Sequence, residues 1–351
     1  MFMKILAVDI GVGTQDVLLY DSKENIENSI KLVLPSPTQI LGGKVRDSKG
    51  NLLIIGETMG GGPINKAINE KIQLGHKVVM TENAARTIRD DLSRVEAYGI
   101  EIVSEESLEL ENEKYSDFQK IELKDVDLPA IEKALSEFNV KLDFDFLGVA
   151  VQDHGFMEGI GDRNFRFMKI KEKLNMPRKS EEFSYYNSVP DHFTRMNAVL
   201  RSFKQYNVMV MDSKFASICG ATCDEYVKKL SKFVVMDVGN GHTLAATFNG
   251  EKIVGVFEHH TRSLNMEKIE LYVEKLVNGS LTHEEIHEDG GHGAWAIEAI
   301  DNFECIVATG PQRRLLNQTK YNIYHAAPAG DVMMTGPVGL IKAIKTVNRI
   351  N

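Results

Sequence analysis

The chain has 351 residues, 43% of them hydrophobic and 26% charged, which predicts a soluble globular protein with room for two domains. Its formal net charge of −9 excludes a nucleic-acid binder that depends on bulk positive charge, because phosphate contacts need clustered Lys and Arg. Three cysteines are too few for a disulfide framework, and no apolar stretch approaches the ~20 residues of a membrane span. We therefore expect a cytoplasmic protein that binds neither nucleic acid nor a membrane.

The first part of the chain alternates strand-like and helix-like segments, which is typical of an α/β fold. Strands are predicted over residues 3–9, 16–20, 51–57, 77–82, 100–105, 144–155 and 207–212. Helices are predicted over residues 63–74, 83–99, 129–138 and 193–203. The polar segment 158–192 has little apolar periodicity, which indicates a long loop region with short helices.

The second part of the chain starts the alternation again. A helix is predicted from residue 213, followed by three strands within 232–260. Further elements are predicted as helices over 266–277 and 294–301, a strand over 305–310, a helix from Pro311 and an apolar final helix.

Two similar turns open the two parts of the chain. "VDIGVGTQD" at 8–16 and "MDVGNGHTL" at 236–244 both read apolar, Asp, apolar, Gly, any residue, Gly, then a threonine. Each lies between two predicted strands, and Asp9 and Asp237 are 228 positions apart (237 − 9). One glycine turn is a weak signal, but two at this separation indicate duplicated units.

The residue types in these turns suit a phosphate. Glycine lets a phosphate approach the backbone N–H groups, because no Cβ stands in the way, and a threonine hydroxyl can donate a further hydrogen bond. Asp9 and Asp237 would repel the phosphate itself. A carboxylate at these positions therefore favours a Mg²⁺ ion that lies between the carboxylate and the phosphate. The candidate phosphate-binding residues are Gly11, Gly13, Thr14, Gly239, Asn240, Gly241 and Thr243.

With these two turns the chain resembles the superfamily of actin, heat-shock chaperones and sugar kinases. Three later segments fit the same resemblance: "VMVMDSKFASICGA" at 208–221, "CIVATGPQRRLL" at 305–316 and "AGDVMMTGPVGLIKAI" near the end. The resemblance implies an α/β protein of two ribonuclease H-like, actin-like ATPase domains with an interdomain cleft that binds ATP and Mg²⁺. It places Gly310 beside the base and ribose of the nucleotide.

The resemblance also implies a division of the chain. The first domain would cover 1–205, with inserted segments at about 25–140 and 156–200. The second would cover 206–351, with its last helix packing back on the first domain.

The whole sequence is also similar to an archaeal family of unknown function that is loosely labelled as related to pyruvate formate-lyase activating enzyme. That label implies a CxxxCxxC iron–sulfur motif. Here Cys219 and Cys223 give CxxxC, and no third cysteine completes the motif. Two small hydrophobic residues one helical turn apart explain the pair, and a cluster shared between two subunits stays open as an alternative.

Phosphoryl transfer or hydrolysis also needs a group that orients or deprotonates the nucleophile. Asp212 is the first candidate, because it ends a strand 25 residues before Asp237 (237 − 212), where the superfamily carries an acid or glutamine. Asp153 in "VAVQDHG" is the second, in a segment similar to "GQxHG" of some sugar kinases. A helix cap explains Asp212 about as well, and a turn explains Asp153.

A second class of function stays open at "THEEIHEDGGHG". His283, Glu284 and His287 match the H-E-x-x-H pattern of zinc peptidases, and His292 follows five residues later. This alternative is a zinc metalloprotein that uses His283, His287 and His292. The helix needed for it is short, because a capping box of Thr282 and Glu285 starts it and a "DGG" sequence ends it.

The sequence therefore favours an ATP-binding protein that performs phosphoryl transfer or hydrolysis, either as a small-molecule kinase or as an ATPase that drives another protein. The expected partners are the nucleotide and an unknown small-molecule acceptor or protein. A homodimer and a non-catalytic nucleotide-binding protein stay open.

Overall fold

A computed structural model describes residues 2–110 and 112–348 of the chain. The outer ends of the two predicted domains, Met1 and Asn351, lie outside the described residues. The strands are β1 Lys4–Ile10, β2 Thr14–Asp21, β3 Ile30–Pro35, β4 Leu52–Gly56, β5 Val78–Thr81, β6 Glu101–Val103, β7 Gln119–Leu123, β8 Phe146–Val151, β9 Arg178–Lys179, β10 Ser184–Tyr186, β11 Asn207–Met211, β12 Lys232–Val238, β13 His242–Asn249, β14 Lys252–His260, β15 Gly293–Ala296, β16 Ile306–Thr309 and β17 Ile323–His325.

Helices lie between and around these strands. The α-helices are α1 Pro37–Asp47, α2 Pro63–Gln73, α3 Glu82–Ala85, α4 Leu92–Glu96, α5 Glu105–Leu110, α6 Leu128–Ser136, α7 Asp162–Lys173, α8 Thr194–Ser202, α9 Ser213–Ala221, α10 Met266–Val277, α11 His283–Glu288 and α12 Thr335–Val347. Among the described helices, none has the length and apolar character of a membrane span.

The first sheet has the strand order β10-β11-β8-β1-β2-β3. β1, β2 and β3 form an antiparallel meander, in which Asp9 pairs with Asp16, while β8 runs parallel to β1 and β11 parallel to β8. Strand β1 is buried over Ile5–Ile10, as expected for a strand that is covered on both faces.

The second sheet repeats this arrangement in the order β15-β14-β13-β12-β16-β17. β12, β13 and β14 form the antiparallel meander, and β16 and β17 run parallel to β12. Three antiparallel strands followed by two parallel ones is the ribonuclease H-like order. Its duplication confirms the predicted α/β fold of the actin-like ATPase class.

A third sheet fills much of the predicted first insertion. Its four strands are parallel, in the order β6-β5-β4-β7, and helices α1 and α2 belong to the same unit. Ile54, Met80, Ile64 and Ile68 form part of a core of its own. The weak resemblance over 25–140 therefore corresponds to an added, independently packed layer.

The last helix lies on the first sheet and against α9. A Cβ added to Gly148 of β8 would meet the Leu340 Cβ of α12 at 3.0 Å. The boundary predicted between residues 205 and 206 falls just before β11, which is hydrogen-bonded to β8 in the first sheet. The second set of strands begins at Lys232, with α9 between the two sheets.

Several predicted elements are wrong in type or extent, and the helix predicted from Pro311 is a 3-10 helix over Arg313–Gln318. The helix predicted over 83–99 is two short helices, α3 and α4. The segment 158–192 contains the twelve-residue helix α7, whose Phe165 and Phe167 are buried although most of its residues are polar. Residues predicted as a helix over 294–301 begin instead as strand β15, because they complete the edge of β14.

Candidate functional site

The two glycine turns are closed by similar hydrogen bonds. Gly11 N donates to Thr14 O at 2.9 Å, and Gly239 N donates to His242 O at 3.0 Å. Within the described chain, the N–H groups of Gly13 and Gly241 have no hydrogen-bond acceptor. Each turn therefore presents a free backbone donor of the kind that binds anions.

The turns lie face to face. A Cβ added to Gly13 would meet Asn240 Nδ2 at 2.5 Å, so the first turn touches the second directly. Both border one cleft with a volume of about 430 Å³. The candidate residues that line it are Asp9, Gly11, Thr14, Asp153, Asp237, Gly239, Asn240, Gly241 and Gly310.

The two threonines of the turns differ in their surroundings. Thr14 lines the cleft, and its hydroxyl lies 3.5 Å from Asp16 Oδ2. Thr243 is fully buried, and its hydroxyl shares a 2.9 Å hydrogen bond with Thr261, which donates in turn to Gly239 O. Thr243 therefore braces the second turn and does not face the cleft, in contrast to its predicted contact with phosphate.

Asp9 and Asp16 bring two carboxyl groups to the floor of the cleft. Each has a buried Oδ1 atom that has no hydrogen-bond partner among the described residues. Burial raises the pKa of Asp9 to about 7, an effect opposed by a hydrogen bond from Ser213. Burial and the nearby Asp9 raise the pKa of Asp16 to about 8. Unpartnered oxygens and raised pKa values fit a hard divalent cation such as Mg²⁺, which prefers oxygen ligands.

Asp237 is already paired with a lysine. Lys214 Nζ lies 2.6 Å from Asp237 Oδ2, and both residues are nearly buried in the cleft. Lys214 also lies over the second turn, where it would meet a Cβ on Gly239. Sequence reasoning missed this lysine. The available signal was a single charged residue in the wholly buried helix α9.

Asp212 occupies a structural position. Its side chain accepts from Lys214 N as the N-cap of α9. It also receives two hydrogen bonds from Arg166, at 2.7 and 3.2 Å, and it does not line the cleft. Arg166 reaches further, to Glu258 at 2.7 Å, so one guanidinium joins two buried carboxylates. The cap that the sequence left open as an alternative is present.

Asp153 lines the cleft and is held in place by backbone. Its two oxygens accept from Gly155 N at 2.8 Å and from Met196 N at 2.9 Å. Burial raises its pKa to about 6 in spite of these two hydrogen bonds. A carboxylate with a pKa closer to neutrality is better suited to accept a proton in the cleft.

The third sheet, which lies in the predicted first insertion, closes the far end of the cleft with a third glycine loop. Gly60, Gly61 and Gly62 line the cleft, and a Cβ on Gly62 would lie 3.5 Å from Val12 of the first turn. Nearby, Arg195 forms a buried ion pair with Asp125 at 2.7 Å, and Asp125 Oδ1 accepts from Gly60 N. These polar groups give this end of the cleft both donors and acceptors.

The predicted zinc set of His283, His287 and His292 is not assembled. The rings of His283 and His287 stack with 5.6 Å between centroids on α11, which has six residues. His292 lies elsewhere, with His154 and His242. Among the described residues no group of three candidate metal ligands includes a cysteine, and Cys219 is buried and free.

Comparisons with known proteins agree with the predicted family. One family model, described as "Putative pyruvate format-lyase activating enzyme (DUF1786)", matches residues 59–315, which is more than half of the chain, and the chain belongs to this family. No curated protein sequence matches the chain.

Solved structures align with the chain at low identity. The ROK hexokinase from Thermus thermophilus is 11% identical over 72% of this chain and 47% of its own, with a TM-score of 0.25, so the chain spans about half of that protein. The apo psk41 ParM protein is 14% identical over 99% and 98% of the two chains, with a TM-score of 0.34. A Bacteroides thetaiotaomicron protein with an actin-like ATPase fold and unknown function is 8% identical over 96% and 95%, with a TM-score of 0.34.

Proposed function

We propose that this chain binds ATP with Mg²⁺ in the cleft between its two glycine turns and transfers the γ-phosphoryl group to a small polar acceptor. The observation that carries the proposal is the meeting of the turns, with Gly13 against Asn240. The N–H groups of Gly13 and Gly241 have no acceptor in the part of the chain that the structure describes. Donors from both sides of one cleft match a polyphosphate, which carries acceptor oxygens along its whole length.

The charged residues of the cleft support the same ligand. Asp9 and Asp237 would hold Mg²⁺, which supplies charge neutralisation between neighbouring phosphate oxygens. Lys214 lies beside Asp237 and over the second turn, where its ammonium would bind a phosphate oxygen. Asp16, the cross-strand partner of Asp9, adds a carboxylate to the same floor.

Asp153 is the favoured proton acceptor. It lines the cleft, whereas Asp212 is bound to Arg166 and caps α9. A carboxylate with both oxygens fixed by backbone N–H groups is well oriented, and a pKa of about 6 suits removal of a hydroxyl proton near neutral pH.

One end of the cleft is covered by the third sheet. The residues at this end favour transfer to a small acceptor over hydrolysis. There the Gly60–Gly62 loop, Arg195 and Asp125 supply donors and acceptors in a partly enclosed space. A hydroxylated acceptor would be bound there next to Asp153, and water would be excluded when the cleft closes.

The test is ADP production from MgATP with and without a panel of sugars and polyols. We expect one acceptor class to stimulate ADP release, and Asp153→Asn to abolish the stimulation while ATP still binds. Asp212→Asn, a substitution at the N-cap of α9, is the control variant for Asp153→Asn. ADP release that no acceptor stimulates would favour an ATPase, and tight ATP binding without any turnover would favour a non-catalytic protein.

A further inference from the structure

We propose that His154, His242 and His292 form a binding site for a divalent transition-metal ion of the Zn²⁺ type. The candidate ligand nitrogens of these residues all lie within 4.8 Å of one another. The Nε2 atoms of His154 and His292 are 3.0 Å apart. In a tetrahedral zinc site, bonds of ~2.0–2.1 Å place the ligand nitrogens about 3.3 Å apart. The observed separations bracket this spacing.

The three histidines come from separate elements of the fold. His154 follows β8 of the first sheet, while His242 is the first residue of β13 in the second. His292 precedes β15, and its N–H donates to Glu258 O at 2.9 Å, which fixes its backbone to β14. The site therefore joins the two duplicated halves, and each ring is carried by a segment that the sheets hold in place.

His292 has a nitrogen that the protein leaves unpaired. The side chain is only 1% exposed, and within the described chain its Nδ1 has no hydrogen-bond partner. Its Nε2 meets another imidazole nitrogen, that of His154. An imidazole that is buried with an unpaired nitrogen is unfavourable by itself, and coordination of a cation by the ring offsets this cost.

A buried network of net negative charge lies beside the three histidines. Arg166 is close to the histidines, because its Nη1 donates to Asp153 O, but it is bound by the carboxylates of Asp212 and Glu258. Two carboxylates and one guanidinium leave this buried network with a formal charge of −1. Gln152 donates to Glu258 at 2.9 Å and so connects the segment before His154 to the same network.

The ligand chemistry separates this site from the carboxylates of the cleft floor. Imidazole nitrogens favour Zn²⁺ and its first-row neighbours, whereas Mg²⁺ prefers oxygen ligands. His154 and His242 also line the cleft. An ion held by three histidines would keep a coordination position that is reachable from the cleft, as in zinc sites that bind water or a ligand oxygen. This inference does not depend on the proposed ATP binding.

The test uses Co²⁺ as a spectroscopic substitute for Zn²⁺ in the full chain. We expect saturable Co²⁺ binding with visible d–d absorption at one ion per chain, displaced by Zn²⁺ but not by excess Mg²⁺. His154→Ala, His242→Ala and His292→Ala should each weaken the Co²⁺ affinity at least ~10-fold. Circular dichroism and thermal unfolding check folding, and the half-buried His242 provides a variant that leaves the core intact.

The matched controls are His283→Ala and His287→Ala, which remove histidines of the H-E-x-x-H segment. We expect both to keep the affinity of the unmodified protein. Absence of a saturable Co²⁺ spectrum, or loss of binding in the control variants but not in His242→Ala, would overturn the proposal. The same variants are also titrated with ATP, so that the result for metal binding is distinguished from the result for nucleotide binding.

Discussion

Lys214 and Asp237 form an ion pair inside the cleft, with 2.6 Å between Nζ and Oδ2. Because Lys214 also lies over Gly239, the pair connects the proposed Mg²⁺ ligand Asp237 to the turn that is proposed to bind phosphate. We predict that Lys214→Met weakens MgATP binding by about 10-fold or more, since a hydrogen bond to a charged group contributes ~1.5–3 kcal/mol. Calorimetric titration measures this affinity.

Lys268→Met is the control for this prediction. Lys268 is also a partly buried lysine in an ion pair, with Asp289 at 2.6 Å, but it does not line the cleft. Its substitution should leave the MgATP affinity unchanged. Equal affinities of the Lys214 and Lys268 variants would contradict the role given to Lys214.

Asp16 should make stability depend on pH. The ordinary pKa of its carboxyl is 3.8, and burial together with Asp9 raises it to about 8 in the folded chain. The folded state therefore binds more protons than the unfolded state between about pH 4 and 8, so the free energy of unfolding falls as pH rises through this range.

Asp16→Asn should remove this fall in the free energy of unfolding with rising pH. Without added metal, the variant should be more stable than the unmodified protein at pH 8, by on the order of 2 kcal/mol, and similar to it at pH 4. Urea unfolding at pH 4, 6 and 8 measures the difference, with the exposed Asp117→Asn as control. A stability difference that is the same at all three pH values would refute the prediction.

Arg166 joins two buried carboxylates, so its removal should cost much more than removal of a surface arginine. We predict that Arg166→Met lowers the free energy of unfolding by ~3–5 kcal/mol, because Asp212 and Glu258 are left buried without a counter-charge. Arg178→Met breaks a half-exposed pair with Glu182 and should cost ~1 kcal/mol or less. Similar losses in the two variants, measured in urea, would count against the network.

Gly336 allows the last helix to approach Asp9. A Cβ at this position would overlap the Asp9 carboxyl group, whereas a Cβ on Gly43 of α1 would meet no atom within 4 Å. Gly336→Ala should therefore lower the melting temperature and weaken ATP binding. Gly43→Ala should raise stability by ~0.5–1 kcal/mol through helix propensity. Shifts of the same sign in both variants would be inconsistent with this packing.

Much of the fold could be predicted from local patterns. The two glycine turns, with Asp9 and Asp237, indicated the duplication. Each turn lies between short, apolar strands, which the sequence pattern predicts well. Helix α7 was missed because its many charged residues hide a narrow buried face that includes Phe165. Strand β15 was missed because four residues at a sheet edge carry no periodicity that outweighs a helix-forming neighbourhood.

The site was predicted only where its residues are close in sequence. Lys214 and Arg166 act through partners 23 and 46 residues away, and these pairings follow from the tertiary fold alone. The same holds for His154 and His292, which are 138 residues apart. The sequence pattern instead drew attention to His283 and His287, because histidines one helical turn apart form a visible motif whether or not they share a ligand.

The most direct test of the central claim is calorimetric titration of ATP in the presence of Mg²⁺, repeated with Asp9→Ala and Asp237→Ala. We predict saturable binding of one nucleotide per chain, dependent on Mg²⁺ and weakened at least ~10-fold in each folded variant. No saturable binding to the unmodified chain, or undiminished binding by both variants, would contradict it.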